Sequence, residues 1–316
     1  MKLVTFRVAD GAERLGLLLE KVVVLDLQRA HLVAAGCGHP ALGGMQALIE
    51  AGKEGLSLVS GLRDVATPDC RYEVGVDARL LAPLPRPQQI RDCLSFDQHL
   101  IGCAEAIRVR MDLAEILPRH VSMIETMKSR PIYYKANRFA VTGPDTEVVW
   151  PAYSQLRDYE LEMAAVIGQR VKNVTPREAS GSIFGYTVFN DFSARDTQAL
   201  EAGGGLGPAK AKDFDNANAM GPCIVTSDEF DPYNARMTAS INGEVQSIGH
   251  SSSMNRSFEE LISHISQSET IYPGEIIGSG TVGGGCGLEQ GRLLEDGDVV
   301  ELEVEGIGIL RNRIRV

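Results

Sequence analysis

Glu160 and Glu162 stand two residues apart in the run YELEMAAVIG, residues 159–168. Side chains alternate along a strand, so both carboxylates leave one face while Tyr159, Leu161 and Met163 leave the other. Two neighbouring carboxylates on a segment that turns fully apolar would repel each other and would be costly to bury. A hard divalent cation removes both penalties, because Mg²⁺ and Ca²⁺ prefer oxygen ligands. A solvated strand edge accounts for the same spacing, and spacing alone favours that plainer reading. A third carboxylate, Asp191, closes the strand-like YTVFND, and NDFSARDTQ then brings Arg195, Asp196 and Gln198 into close order. By itself that stretch also fits a turn with a surface ion pair.

Other reactive residues carry plain alternatives of their own. His99 lies in a helical stretch with Asp97 and Glu105 and fits a helix surface. Lys212 sits among Lys210, Asp213 and Asp215, as in a solvated loop, and Glu289 is three residues from Arg292, a ready ion-pair partner. Cys286 has no base close to it in sequence, which leaves a nucleophilic role unsupported. Residues 278–283, GSGTVG, match the glycine pattern of a dinucleotide site, which also needs a helix starting there. The chain instead continues GGCGLEQGR, too rich in glycine to propagate one. No HExxH, GxSxG or Walker sequence occurs.

The elements that must position these groups read as mostly strand. LVTFRVA and VVVLDL near the start, residues 159–168, YTVFND and the tail DVVELEVEGIGILRNRIRV are strand candidates, the tail forming two strands about a glycine turn. RMTASI and EVQSI flank Asn242-Gly243, a type I′ hairpin signal. Helices are expected from Pro40 through PALGGMQALIEAG and over 97–117, and two short ones open with capping boxes at Thr175–Glu178 and Ser257–Glu260. This predicts a β-rich α+β fold. Pro83, Pro85 and Pro87 cannot continue a helix or a central strand, which places a junction between a small module, 1–80, and a larger domain, 81–316.

Composition narrows the class. Of 316 residues, 44% are hydrophobic and 23% charged, within ordinary globular usage. The net charge of −11 disfavours nucleic acid and anionic membrane as partners, although a local basic pocket would still take a small anion. No apolar run approaches the length of a spanning helix. Six scattered cysteines without a CxxC pair read as reduced thiols, and the charged N-terminus as no signal peptide, so a cytoplasmic protein is expected.

Taken together, DYELEMAAVIG, VFNDFSARDTQ, GPAKAKDFD, GSGTVGGGCGLE and the EVEGIG tail resemble the fumarylacetoacetate hydrolase family, from about Arg91 to the C-terminus. The resemblance implies a mixed β-sandwich or roll with a small N-terminal module. It implies a divalent metal, Mg²⁺ with Ca²⁺ or Mn²⁺ as alternatives, held by Asp92, Glu160, Glu162 and Asp191. His99, seven residues after Asp92, would be the base that activates water, with Glu289 orienting it and Lys212 as the third catalytic residue. Arg108 (or Arg110), Tyr134, Gln198 and Thr281 would face substrate. A homodimer is implied too.

The implied reaction is hydrolysis of a C–C bond in a small anionic β-diketone or acylpyruvate, in aromatic catabolism. Such a substrate offers two oxygens to one metal, a histidine paired with a carboxylate supplies the base, and Lys212 and Gln198 meet the oxyanion. Isomerisation, hydration or decarboxylation of 2-oxo dicarboxylates is the alternative enzyme class, and a binding protein on a degenerate fold the non-enzyme one. His99 and Glu289 lie far apart in sequence, which favours the fumarylacetoacetate-like arrangement over the smaller relatives. Leu94, Asn216 and a short loop from Thr281 to Glu289 depart from the fumarylacetoacetate-cleaving pattern and bear on substrate choice.

Overall fold

The structure is a computed structural model that describes every residue except 10, 21, 65 and 66. The chain starts with three strands, β1 (Lys2–Val8), β2 (Glu13–Leu18) and β3 (Val23–Asp26), then α1 (Leu27–Ala35) and α2 (Met45–Leu62). Asp26 caps α1, accepting a hydrogen bond from the Arg29 N–H, and Gly36 ends it in the left-handed conformation. The helix expected from Pro40 is a 3₁₀ turn followed by α2, which runs ten residues past Gly52 despite that glycine's positive φ. Leu56, Val59 and Leu62 continue the apolar face beyond the break, which carries the helix onward.

Strands β4 (Arg71–Glu73), β5 (Ala78–Leu80) and β6 (Ile90–Cys93) lead to α3 (Asp97–Arg110) and α4 (Pro118–Ser129). The single helix expected over 97–117 therefore stops at Arg110, where Asp112 takes a positive φ that a short polar side chain tolerates. Pro118 then opens α4 at its first helical position. Next come β7 (Tyr133–Ala136), β8 (Val141–Thr142), β9 (Thr146–Val149), β10 (Arg157–Asp158), β11 (Leu161–Ile167), α5 (Pro176–Ala179), β12 (Ile183–Asp191), β13 (Ser193–Ala194) and α6 (Arg195–Glu201). The remainder is β14 (Asn218–Thr226), β15 (Arg236–Ile241), β16 (Glu244–His250), α7 (Phe258–Ile265), β17 (Ile276–Gly278), α8 (Gly287–Gln290), β18 (Val299–Val304) and β19 (Gly308–Arg315). Both capping boxes form, and Asn242 and Gly243 both have positive φ, as a type I′ turn requires.

The fold is mixed α+β and rich in strand. The larger sheet runs β4-β3-β2-β1-β14-β12-β11-β17-β6-β7, with β5 on β1 and β8 on β14. The smaller runs β16-β15-β18-β19-β9. Strand β1 pairs with β14 (Leu3 opposite Ile224), so segments on both sides of residue 80 share one sheet. One face of the larger sheet packs against the smaller sheet through Val188, Val225, Leu302 and Leu310. The other meets α1 and α2 through Leu3, Leu27, Leu48 and Ile49. Alternation holds within β11: Leu161, Met163 and Ala165 enter the first core, Ala164 and Val166 the second. Glu162 continues the line of Ala164 and Val166 beyond the end of that second core.

Candidate active site and metal centre

Four carboxylates gather where β11 begins and β12 and β6 end. Asp92, Glu160, Glu162 and Asp191 are all buried, so neither glutamate lies on a solvated edge. Oxygens of Asp92, Glu162 and Asp191 lie within 4.8 Å of one another. The register explains the convergence: Gly278 of β17 pairs with Asp92, and β11 pairs with β12 at Glu162–Phe189. Gly278 also makes room, since a Cβ there would lie 2.2 Å from Asp92 Oδ1.

Each carboxylate has a distinct environment. Glu160 Oε2 accepts from Lys212 Nζ (2.5 Å) and Oε1 from Arg195 (2.8 Å). Burial alone would raise Glu160, but these cations hold it well below the usual carboxylate range. Glu162 accepts from the Thr281 hydroxyl and the Gly280 N–H, both at 3.1 Å, and burial beside Asp92 and Glu160 pushes it well up. Asp191 accepts from Lys212 and from the Tyr134 hydroxyl (2.5 Å), and burial pushes it up to about 8 against the pull of Lys212. Asp92 is raised as well, chiefly by burial.

The residues fit a hard divalent cation. Oδ1 of Asp92 and Oδ1 of Asp191 are buried without a hydrogen-bond partner, a state such groups rarely keep. The donors are all carboxylate oxygens, the set that Mg²⁺, Ca²⁺ and Mn²⁺ accept. Asp92, Glu162 and Asp191 offer the convergent oxygens, and Glu160 stands beside them, held by Lys212 and Arg195.

His99 faces this cluster from the first turn of α3 and is buried. Its Nδ1 donates to Glu289 Oε2 at 2.8 Å, while Nε2 lies 3.5 Å from Glu160 Oε1. Arg292, the neighbour in sequence, pairs instead with Asp298 at 2.8 Å. Burial lowers the imidazole's affinity for protons, but bonds with Cys286, Glu160 and Glu289 prevail and hold it well above the ordinary histidine value. Glu289 is aimed by the Gly284 N–H, which donates to Oε1 (2.9 Å), and by Gly102 of α3, where a Cβ would lie 2.4 Å from that oxygen.

Lys212 is buried against the carboxylates, not solvated, and Tyr134 and Thr281 each bond one of them. Gln198 accepts from Arg195 at 2.9 Å, one residue removed from the cluster. Arg108 is not brought there. Nine residues make about two and a half helical turns, which turns it away from His99, and its guanidinium is held by Glu105 and the Leu113 carbonyl. Arg110 is exposed.

Three partners escaped the sequence reading. Arg195, which a surface turn would also have explained, is buried between Asp158 (2.7 Å) and Glu160 (2.8 Å). Asp158 also accepts from the Gly287 and Leu288 N–H groups, fixing the loop that carries Glu289. Its signal was available, since 158, 160 and 162 share one strand face. The third is Cys103, which lies 3.7 Å from His99 Nδ1 and 3.8 Å from Cys286 Sγ; its place one helical turn after His99 was its only signal.

Residues 109–315 match the family model described as fumarylacetoacetate hydrolase, C-terminal. The chain belongs to this family. Human mitochondrial oxaloacetate tautomerase FAHD2A is 37% identical over 186 residues, 58% of this chain and 59% of that protein. A Methanocaldococcus jannaschii protein is 37% identical over 185 residues, 58% of this chain and 73% of that one. The solved fumarylacetoacetate hydrolase of Exiguobacterium antarcticum superposes with a TM-score of 0.76 at 26% identity, covering 100% of this chain and 99% of that one. The first 108 residues lie outside the matched segment.

Proposed function

We propose that this family member is a divalent-metal-dependent hydrolase that cleaves a C–C bond in a small anionic β-diketone or acylpyruvate. The observation that carries the reading is the His99–Glu289 pair, 2.8 Å long, set against four buried carboxylates. Asp92, Glu160, Glu162 and Asp191 would hold the cation, Mg²⁺ in the first place, which when bound supplies Lewis-acid polarisation of two substrate oxygens. Because Nδ1 is committed to Glu289, Nε2, 3.5 Å from Glu160 Oε1, would be the nitrogen that takes a proton from water, and the raised imidazole pKa sets that step above the ordinary histidine range. Hydroxide adds to one carbonyl carbon, and the bond from that carbon to the central carbon breaks. Its electron pair becomes an enolate, which is finally protonated. Lys212, buried and cationic, would meet the negative charge that develops, and Tyr134, Thr281 and Gln198, bonded to Asp191, Glu162 and Arg195, would face the substrate.

A second reading is keto–enol tautomerisation of a 2-oxo dicarboxylate, supported by the 37% identity to a protein named oxaloacetate tautomerase. It uses the same proton at His99 Nε2 and needs no water. Dialysis against EDTA and return of Mg²⁺ or Mn²⁺, with acetylpyruvate, fumarylpyruvate and oxaloacetate, separates the two. Hydrolysis consumes the first two and releases two acids from each. Tautomerisation only speeds loss of the enol absorbance of oxaloacetate. Activity indifferent to chelation would overturn the metal in both. We place the protein in a reducing compartment, the cytoplasm, as six free thiols suit, and as a homodimer. Among the described residues no helix is long and apolar enough to cross a membrane.

A further inference from the structure

The loop that carries Glu289 meets α3 in a second cluster, distinct in chemistry from the carboxylates. His99, Cys103, Cys286 and Glu289 each offer an atom within 4.8 Å of the others. Their contacts close a ring: Cys103 Sγ to His99 Nδ1 3.7 Å, His99 Nδ1 to Glu289 Oε2 2.8 Å, Glu289 Oε2 to Cys286 Sγ 3.3 Å, and Cys286 Sγ to Cys103 Sγ 3.8 Å. Zinc–sulfur bonds of about 2.3 Å in a tetrahedron set sulfur atoms about 3.8 Å apart, and mixed sulfur, nitrogen and oxygen edges are slightly shorter. Three edges of the ring already have these lengths, and the fourth needs only the His99–Glu289 hydrogen bond to open.

We propose that these four residues form a soft-metal site that takes Zn²⁺ and thereby withdraws His99 from proton transfer. Two thiolates and an imidazole select zinc over magnesium, whereas the neighbouring carboxylates select the hard cation. Cys286 and His99 are buried, while Cys103 and Glu289 are partly exposed, so an ion enters past the latter pair. Both thiols give up their protons on coordination, and zinc competes directly with the Glu289 bond that orients the imidazole.

The site is tested on full-length protein stripped with EDTA and then saturated with Mg²⁺, so that the carboxylates are already filled. Co²⁺ serves as the spectroscopic probe. Wild-type protein is expected to show thiolate-to-cobalt charge transfer with intense tetrahedral ligand-field bands, both abolished by one equivalent of Zn²⁺. Cys103→Ser and Cys286→Ser should each lose about half of the charge-transfer intensity, since one of the two thiolates remains. Zinc inhibition, taken relative to each variant's own zinc-free rate, should weaken by more than about tenfold in Cys103→Ser. Bound cobalt without sulfur absorption, or zinc inhibition undiminished in Cys103→Ser, overturns the proposal. The inhibition arm rests on the role proposed for His99. The cobalt spectrum does not, so it decides the site even on a protein that turns over none of the substrates above.

Discussion

The imidazole at position 99 is held between two carboxylates that do different things. Replacing it by alanine should lower kcat/KM by about 10²–10⁴-fold, the usual cost of losing a general base, while Mg²⁺ affinity measured by calorimetry stays nearly unchanged. Glu289→Gln should act through the pH profile. Glu289 stabilises the imidazolium, so its loss lowers the pKa of His99, and the basic form then prevails at lower pH. The acidic limb of kcat/KM should accordingly move down in pH, and an unmoved limb would dissociate Glu289 from the base. Arg195→Leu should instead destabilise by about 3–5 kcal/mol in urea melts, because it leaves Asp158 and Glu160 buried without their shared cation. The convergence of Glu160, Glu162, Asp191 and Lys212 was legible because ordered motifs carried it. Partner choice was not. Arg292 is near Glu289 in sequence, yet the fold turns it to Asp298 and brings His99 in from 190 residues away.

At the scale of elements, the site depends on where a helix meets a loop. Gly102 lets α3 approach close enough for Glu289 to reach His99. Gly102→Ala should improve intrinsic helix stability by about 0.8–1 kcal/mol, and the atom in its way is the movable end of a side chain. Thermal stability should therefore hold or rise while activity falls toward that of Glu289→Gln; equal losses of both would show that the glycine serves packing alone. Strand positions were readable from alternation, which survives burial on both faces in β11. Helix ends were less so. The turn at Asp112 splits what the 97–117 pattern joins, because a positive φ at one aspartate leaves no trace in hydrophobic spacing.

For the molecule as a whole, buried acid dominates stability near the site. Asp191 is pushed up to about 8, so in the metal-free protein it keeps a proton that the unfolded chain loses near the ordinary aspartate value. Fewer protons on the unfolded state mean that stability falls as pH rises across that window, up to about 8. The Tm of stripped protein should decline from pH 5 to pH 8, and added Mg²⁺ should raise it more at pH 8 than at pH 5. A flat Tm would remove the excess buried charge from the account. The division into 1–80 and 81–316 stands as a proposal about folding units. Residues 81–316 expressed alone decide it: cooperative unfolding supports the division, while aggregation through the uncovered edge of β14 overturns it. Strand β17 has a further consequence for synthesis. It lies between β11 and β6, yet follows both in sequence. A nascent chain leaving the ribosome has therefore made the two flanking strands long before the one that joins them. The half-finished sheet must keep that slot unfilled, with apolar strand edges showing, until Ile276–Gly278 emerge. Pairing across such sequence distances is slow and exposes sticky intermediates, so this chain is expected to lean on chaperones when made fast.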